Sequence, residues 1–271
     1  MGNYIRISFK DINEDQLHIL IALLENIGFD GFEEGENTLT AYIKEEAFDA
    51  KKLEQIAKQS NASYTTSLEK EQNWNAVWES NFQPVIVNDF VAVRASFHEP
   101  IAGVAHEIVI TPKMSFGTGH HATTWMMLEQ MSKLNFTDKT VFDFGAGTGI
   151  LAILAEKLGA SVVIAIDNDD WSIRNAEENF STNGCHRIIL QHRDNAEMQQ
   201  HFDIILANIN KNIILANLSF LIKQLNAGGF ILLSGLLKDD EADILDELKK
   251  YPVHHVHTQH KDKWIIILLT A

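Results

Sequence analysis

Hydrophobic and polar residues in the second half of the chain follow two alternating periods. Short apolar runs, such as residues 141–144 and 162–166, have the composition of buried strands. The segments between these runs carry apolar residues at every third or fourth position, as on one face of a helix. Strands that alternate with helices predict a parallel, doubly wound α/β sheet, and two closing strands at 253–260 and 264–269 predict an antiparallel edge.

The beginning of the chain has a different order of elements. We predict a strand at 4–9, a helix at 14–27, strands at 29–32 and 39–43 around a polar turn at 33–37, a helix at 47–59 and a strand at 62–68. The order β-α-β-β-α-β is typical of a small ferredoxin-like α+β domain. The segment contains no cluster of candidate catalytic residues.

A polar stretch with regularly spaced aromatic residues joins the two patterns. Trp74, Trp78 and Phe82 recur at four-residue spacing, which places them on one face of a helix that ends before Pro84. We therefore predict a substrate-recognition domain at 1–68, a linker helix at 69–84 and a larger α/β domain at 85–271, in which strands at 91–96 and 108–110 precede the main sheet.

A glycine-rich turn follows the strand at 141–144. Gly145, Gly147 and Gly149 follow Asp143 in the pattern D-x-G-x-G-x-G, whereas the dinucleotide pattern G-x-G-x-x-G would require glycine in place of Ile150. Glycine allows the sharp bend and lets the backbone contact a ligand. A carboxylate before the turn suits the cationic S-adenosyl-L-methionine better than a pyrophosphate. A nicotinamide-dependent oxidoreductase and a turn without a ligand are the alternatives.

Polar residues at the ends of other predicted strands point to the same crevice, because ligands of such sheets bind beyond the carboxyl ends of the strands. Asp167 lies twenty residues after Gly147, where a carboxylate can accept hydrogen bonds from a ribose. Asp194 or Asn195 ends a further strand. Asn208 is our candidate catalytic residue, since its carbonyl can hold and aim a substrate amine, and the alternative is a helix cap. We identify no dedicated general base.

Histidines are the remaining candidates for chemistry. His120 and His121 lie in the loop TPKMSFGTGHHATT (111–124), which we predict to be a mobile lid. No Cys, Asp or Glu stands at ligand spacing, so hydrogen bonding within the loop is the favoured role. Strand alternation places His255 and His257 on one face and His254 and His260 on the other. We therefore predict no metal site.

Composition limits the partners. The 271 residues include 22 Lys+Arg and 37 Asp+Glu, a net charge of -15. Such a charge repels nucleic acid and favours a basic protein partner, although solubility alone is the alternative explanation. Cys185 is the single cysteine, and the sequence contains neither a signal peptide nor a membrane-spanning run. We expect a cytoplasmic protein with no membrane association.

Five motifs occur together in the order NWNAVWESNFQPV, SFGTGHHATT, VFDFGAGTGILAI, DIILANIN and GGFILLSGLL. In this order and spacing the chain resembles the bacterial PrmA family, methyltransferases of ribosomal protein eleven of the large subunit. The resemblance covers nearly the whole length, is weakest over the first 70 residues and is most specific in the FGTG-x-H-x-TT loop.

This resemblance implies an S-adenosylmethionine-dependent enzyme that methylates lysine ε-amines and the N-terminal α-amine of one basic ribosomal protein. It implies that the N-terminal domain grips this substrate and that the linker lets it swing. It also places cofactor contacts on Thr124, Gly145, Asp167 and Asn208, beside Gly147 of the glycine turn. The chain departs from the family pattern at 121–122 and at 210–211, and the second departure lies on the acceptor side. Methylation of an RNA base or small-molecule amine, and a non-catalytic assembly factor, remain alternatives.

Overall fold

The computed structural model describes residues 3–69, 82–113 and 116–271. The chain divides into two compact units, Met1–Phe82 and Gln83–Ala271. Most of the expected linker helix at 69–84, including Trp74 and Trp78, lies outside the described residues, and Glu69 is the last residue of a strand. No helix in the described part of the chain has the length and apolar character needed to cross a membrane.

The N-terminal unit is a four-stranded antiparallel sheet with two helices. Its elements are β1 (Tyr4–Lys10), α1 (Glu14–Glu25), β2 (Gly31–Gly35), β3 (Thr38–Lys44), a 3-10 turn (Glu45–Ala47), α2 (Ala50–Gln59) and β4 (Tyr64–Glu69). The strand order β2-β3-β1-β4 confirms the predicted ferredoxin-like topology.

Local chemistry sets the bounds of these elements. Asn13 and Gln16 begin α1 with a reciprocal capping box, in which each side chain accepts a hydrogen bond from the amide of the other residue. The second strand starts at Gly31 rather than at Phe29, because the Phe29 amide still bonds to the Leu24 carbonyl at the end of α1. Leucines of both helices cover one sheet face and form a core of their own.

The C-terminal unit has two sheets. Its strands are β5 (Val85–Val87), β6 (Val91–Ala95), β7 (His106–Ile110), β8 (Thr140–Phe144), β9 (Val162–Asp167), β10 (Ile188–His192), β11 (Phe202–Asn208), β12 (Leu225–Leu237), β13 (His254–Lys261) and β14 (Trp264–Thr270). Its helices are α3 (Ala122–Met131), α4 (Ile150–Lys157), α5 (Asp170–Thr182), α6 (Lys211–Lys223) and α7 (Glu241–Leu248), and a 3-10 turn (Lys238–Asp240) precedes α7.

The large sheet has the order β10-β9-β8-β11-β12-β14-β13. Strands β8 to β12 pair in parallel, whereas β14 runs antiparallel to both of its neighbours, β12 and β13. The predicted doubly wound sheet with an antiparallel end is confirmed, and the reversed strand is inserted one place in from the edge. The small sheet, β5-β6-β7, includes a first strand that the sequence pattern did not indicate.

β12 begins at Leu225 and has an irregular register with β11 up to Phe230, and in this stretch the Asn226 side-chain amide donates to the Asp203 carboxylate (3.0 Å). The prediction for the faces of β13 was wrong. In β13 the register shifts between His255 and His257, so these two residues do not share a face. His257 lies 3.3 Å from the Gln130 side chain on α3 instead.

Candidate cofactor-binding site

A pocket of about 380 Å³ opens at the carboxyl ends of the parallel strands. Its walls include the glycine turn after β8, the end of β9 and residues 208–210 at the end of β11. Gly235 in β12, Trp264 in β14 and the loop that contains Phe116, Gly117 and His121 also line it. This volume lies within the range of small-molecule sites, and the wall is mostly apolar with a few convergent polar groups.

The glycine turn is tightly held against the end of β9. Gly147 has a φ of 56°, and a Cβ atom there would lie 2.4 Å from the carbonyl oxygen of Phe116, so glycine is required. The Gly147 amide donates to Oδ2 of Asp167 (2.8 Å), and the amide of Asp169 donates to Oδ1 (3.0 Å). The Asp167 carboxylate is therefore fixed on the pocket wall beside the turn, which is the position expected for a partner of a ribose diol.

Asn208 ends β11 on the pocket wall. Its Nδ2 donates to Oγ1 of Thr124 (3.3 Å), whereas its buried Oδ1 finds no hydrogen-bond partner among the described residues. The cap of α6 is Asn210, whose side chain accepts from the Ile213 amide (3.2 Å), so Asn208 is not the helix cap. Thr124 is fully buried behind Asn208 and supports its side chain.

Asp143 lies beneath the turn. It is fully buried, its Oδ2 accepts from the Ala152 amide in α4 (3.1 Å), and the described pocket wall does not include it. Burial raises the pKa of this carboxyl to about 7, against the lowering effect of the Ala152 hydrogen bond and with a further contribution from the Asp167 charge. From the sequence we interpreted this carboxylate as facing the ligand, but its hydrogen bond is with α4, the helix that follows the turn.

The histidines of the loop make hydrogen bonds. His120 joins the Thr118 hydroxyl (3.1 Å) to the Gln83 carbonyl (2.8 Å). His121 caps α3, since its Nδ1 accepts from the Thr123 amide (3.4 Å). Burial, aided by the Lys263 charge, lowers the pKa of His121 and favours the neutral ring. Among the described residues, no group of three or more His, Cys, Asp or Glu side chains is arranged for a metal.

Sequence reasoning missed residues that tertiary structure brings to the pocket. The His121 ring lies 4.6 Å from that of Trp264, which belongs to the reversed strand β14. Gly235 has a φ of 81° and lies against the Ile209 backbone, where a Cβ atom would come within 2.3 Å. Ile209 in turn packs over Gly145. The glycine within the apolar run of the motif GGFILLSGLL was the available signal for this close approach.

Other predicted positions lie away from the pocket wall. Asp194 and Asn195 are exposed, and the described wall does not include them. Of the departure at 210–211, Asn210 lines the pocket, whereas the Lys211 ammonium is paired with the carboxylates of Asp240 (3.1 Å) and Asp243. Lys211 is therefore engaged by its own chain.

The order of the large sheet, the glycine turn after β8 and the acidic residue at the end of β9 define a class I S-adenosylmethionine-dependent methyltransferase. The fit to this cofactor is seen in a turn too close for a Cβ atom and in a carboxylate that is fixed beside that turn.

The chain belongs to the PrmA family: the family model described as ribosomal protein L11 methyltransferase (PrmA) matches residues 14–271. S-Adenosylmethionine is accordingly the methyl donor, and the oxidoreductase alternative is excluded.

Known relatives span nearly the full chain. The ribosomal protein L11 methyltransferase of Bacteroides fragilis is 35% identical over 257 residues, which cover 92% of each chain. The protein of the same name from Chlorobaculum parvum is 37% identical over 280 residues, covering 98% of this chain and 96% of its own. A crystal structure of ribosomal protein L11 methylase from Lactobacillus delbrueckii subsp. bulgaricus has a TM-score of 0.65 at 30% identity and covers 70% of this chain and 98% of that chain.

Replacement of Gly147 by alanine tests whether the glycine turn binds the cofactor. We expect the dissociation constant of S-adenosylhomocysteine, measured by calorimetry, to rise on the order of a hundredfold, because the new methyl group overlaps the Phe116 carbonyl. Gly228→Ala is the matched control, since Gly228 also has a positive φ (73°) but no atom lies within 4 Å of the added Cβ. Equal affinities of the two variants would contradict the site.

Asp143 predicts a pH dependence of stability. Its folded pKa of about 7 exceeds the ordinary value of 3.8, so its contribution to stability is present below pH 3.8 and is lost as the pH rises towards 7. Relative to the wild type, Asp143→Asn should therefore gain on the order of 2 kcal/mol between pH 5 and pH 7 and level off above that range. Melting temperatures across pH 5–8 measure this difference, and parallel curves would refute the assignment.

Proposed function

We propose that this enzyme acts in the cytoplasm on ribosomal protein L11, a basic protein of the large ribosomal subunit, and methylates its lysine ε-amines and N-terminal α-amine. The substrate named for the relatives supports this proposal. The net charge of -15 also supports it, because an acidic surface attracts a basic protein and repels RNA.

The unpartnered Oδ1 of Asn208 carries the proposal for the acceptor side. A buried carbonyl oxygen without a donor is costly, and an incoming amine N–H supplies that donor. In this arrangement Asn208 holds the nitrogen and directs its lone pair towards the glycine turn. Bound S-adenosylmethionine supplies a methyl group on a positively charged sulfur, and the chain supplies the alignment.

The amine must be neutral before it reacts. Lysine has an ordinary pKa of about 10.4 and an α-amine one of about 8, so most substrate amines are charged in water. Phe116, Ile209 and Trp264 give the pocket an apolar wall, and such surroundings lower the pKa of an amine. S-Adenosylmethionine held by the glycine turn and Asp167 would supply the methyl group to the nitrogen lone pair and leave as the neutral thioether, and the proton released from the methylated amine would pass to water.

The N-terminal unit supports the choice of a protein substrate. We assign residues 1–68 to substrate recognition and the segment 69–84 to a linker that lets this domain swing. Glu33 and Glu34 are exposed on the edge strand β2, and Glu36, Glu45 and Glu46 are exposed nearby in the sequence. Acidic side chains on a sheet of this type favour a basic protein over RNA.

Transfer of labelled methyl groups to purified L11 tests the substrate and the role of Asn208. The wild type should label L11, and Asn208→Ala should lower kcat on the order of a hundredfold while the affinity for S-adenosylhomocysteine falls much less. Asn226→Ala, at the opposite end of the sheet, should retain transfer. Label on tRNA, rRNA or small amines, with none on L11, would refute the proposal.

Charge reversal on β2 tests the recognition domain. The double variant Glu33→Lys/Glu34→Lys should raise the KM for L11 by about tenfold and leave the KM for S-adenosylmethionine unchanged. The control Asp89→Lys/Glu99→Lys makes the same change in net charge on exposed residues of the C-terminal unit. If both double variants raise the KM for L11 equally, the effect belongs to overall charge and the assignment of residues 1–68 is wrong.

A further inference from the structure

Three asparagines at four-residue spacing, two on one face of α5 and the third at its C-terminal cap, bind the strand that leads into the pocket loop. Asn183 exchanges two hydrogen bonds with the backbone of Val109 in β7 (3.0 and 2.6 Å). One turn earlier, Oδ1 of Asn179 accepts from the Thr111 amide (2.8 Å), and Asn175 donates to the Thr111 carbonyl (3.1 Å). The spacing matches the pitch of the helix, so a single face satisfies the backbone of the strand and its continuation.

Asn179 makes a second bond that gives it a different position from the other two asparagines. Its Nδ2 donates to the carbonyl of Thr148, which lies in the glycine turn (2.8 Å). The side chain is fully buried, and both ends of its amide are used. Asn179 therefore joins the start of the pocket loop to the turn that holds the cofactor.

Thr148 extends the connection to the other side of the loop. Its amide donates to the Phe116 carbonyl (3.0 Å) and its hydroxyl to the Gly117 carbonyl (2.7 Å). Thr148 is also fully buried, so loss of its hydroxyl would leave the Gly117 carbonyl without that donor. Phe116 and Gly117 both line the pocket.

We propose that Asn179 and Thr148 are positioning residues for the cofactor. Their hydrogen bonds run from Thr111 through Asn179 and Thr148 to the carbonyls of Phe116 and Gly117, and they hold the described ends of the 111–117 segment against the glycine turn. The turn and the loop wall are thereby kept in register before the ligand enters, which lowers the ordering required on binding. The inference rests on cofactor binding at this turn and is independent of the acceptor.

Replacements of Thr148 isolate the hydroxyl. Thr148→Val keeps the shape of the side chain but removes the donor to Gly117, and Thr148→Ser keeps the donor. We expect Thr148→Val to raise the dissociation constant of S-adenosylhomocysteine and the KM for S-adenosylmethionine by about tenfold, with kcat changed by less than about twofold. Thr148→Ser should restore wild-type values. Equal affinities of the two variants would overturn the role of the hydroxyl.

Asn179 and Asn183 form a matched pair that tests the positioning role of Asn179. Leucine at either position removes two side-chain bonds to other elements, but only the Asn179 side chain joins the strand to Thr148. At similar losses of melting temperature, Asn179→Leu should weaken S-adenosylhomocysteine binding by about tenfold and Asn183→Leu should not. An equal weakening in both variants would reduce Asn179 to a purely structural residue.

Calorimetry with S-adenosylhomocysteine needs no methyl acceptor. A failure to label L11 would therefore refute the proposed substrate and leave this measurement intact. If Asn179→Leu does not fold, the comparison of Thr148→Val with Thr148→Ser still decides the proposal.

Discussion

The attachment of the glycine turn to the end of β9 is the constraint on which the pocket depends. The amides of Gly145 and Ala146 donate to the Ile166 carbonyl (3.0 and 2.9 Å), and the Gly147 amide donates to Asp167. Three consecutive amides are thus held by the neighbouring strand. A turn fixed in this way presents its backbone to a ligand without rearrangement, and the residue that fixes it is also the proposed partner of the ribose.

Positive charge on a substrate has opposite effects at the acidic surface of the enzyme and inside its apolar pocket. The acidic surface would attract the basic protein substrate that we propose, and positive charge on that substrate is then an advantage. Within the pocket the same positive charge prevents reaction, because a protonated amine has no lone pair. The pocket has apolar walls at Phe116, Ile209 and Trp264 and an unpartnered carbonyl at Asn208, which are the features that our proposal assigns to a neutral amine. Long-range attraction and local desolvation therefore act at different places.

Much of the fold could be predicted because its signals are local. The periods of apolar residues located the strands and helices, and the glycine spacing located the turn. Asp167 and Asn208 were found because both end parallel strands, which brings them to one side of the sheet.

Features that arise from register and tertiary contact could not be predicted in this way. Nothing in the alternation of β13 reveals the bulge that separates His255 from His257. The direction of Asp143 depends on which neighbour faces its side of β8, and here that neighbour is α4. Likewise, the bonds of Asn179 join residues 31 and 68 positions away, and asparagines within a helix carry no signal for such partners.

Because β14 runs antiparallel to its neighbours, its first residue, Trp264, lies at the carboxyl ends of the parallel strands and lines the pocket from a hairpin. The glycine turn follows a parallel strand, β8. Trp264 instead lies just after the hairpin turn at Asp262, whose φ is 55°. Hairpin tips accept insertions more readily than buried crossovers. Trp264 lines the pocket from this hairpin and the glycine turn lines it from a parallel strand, so a longer hairpin would alter the pocket wall at Trp264 without altering the sequence of the glycine turn.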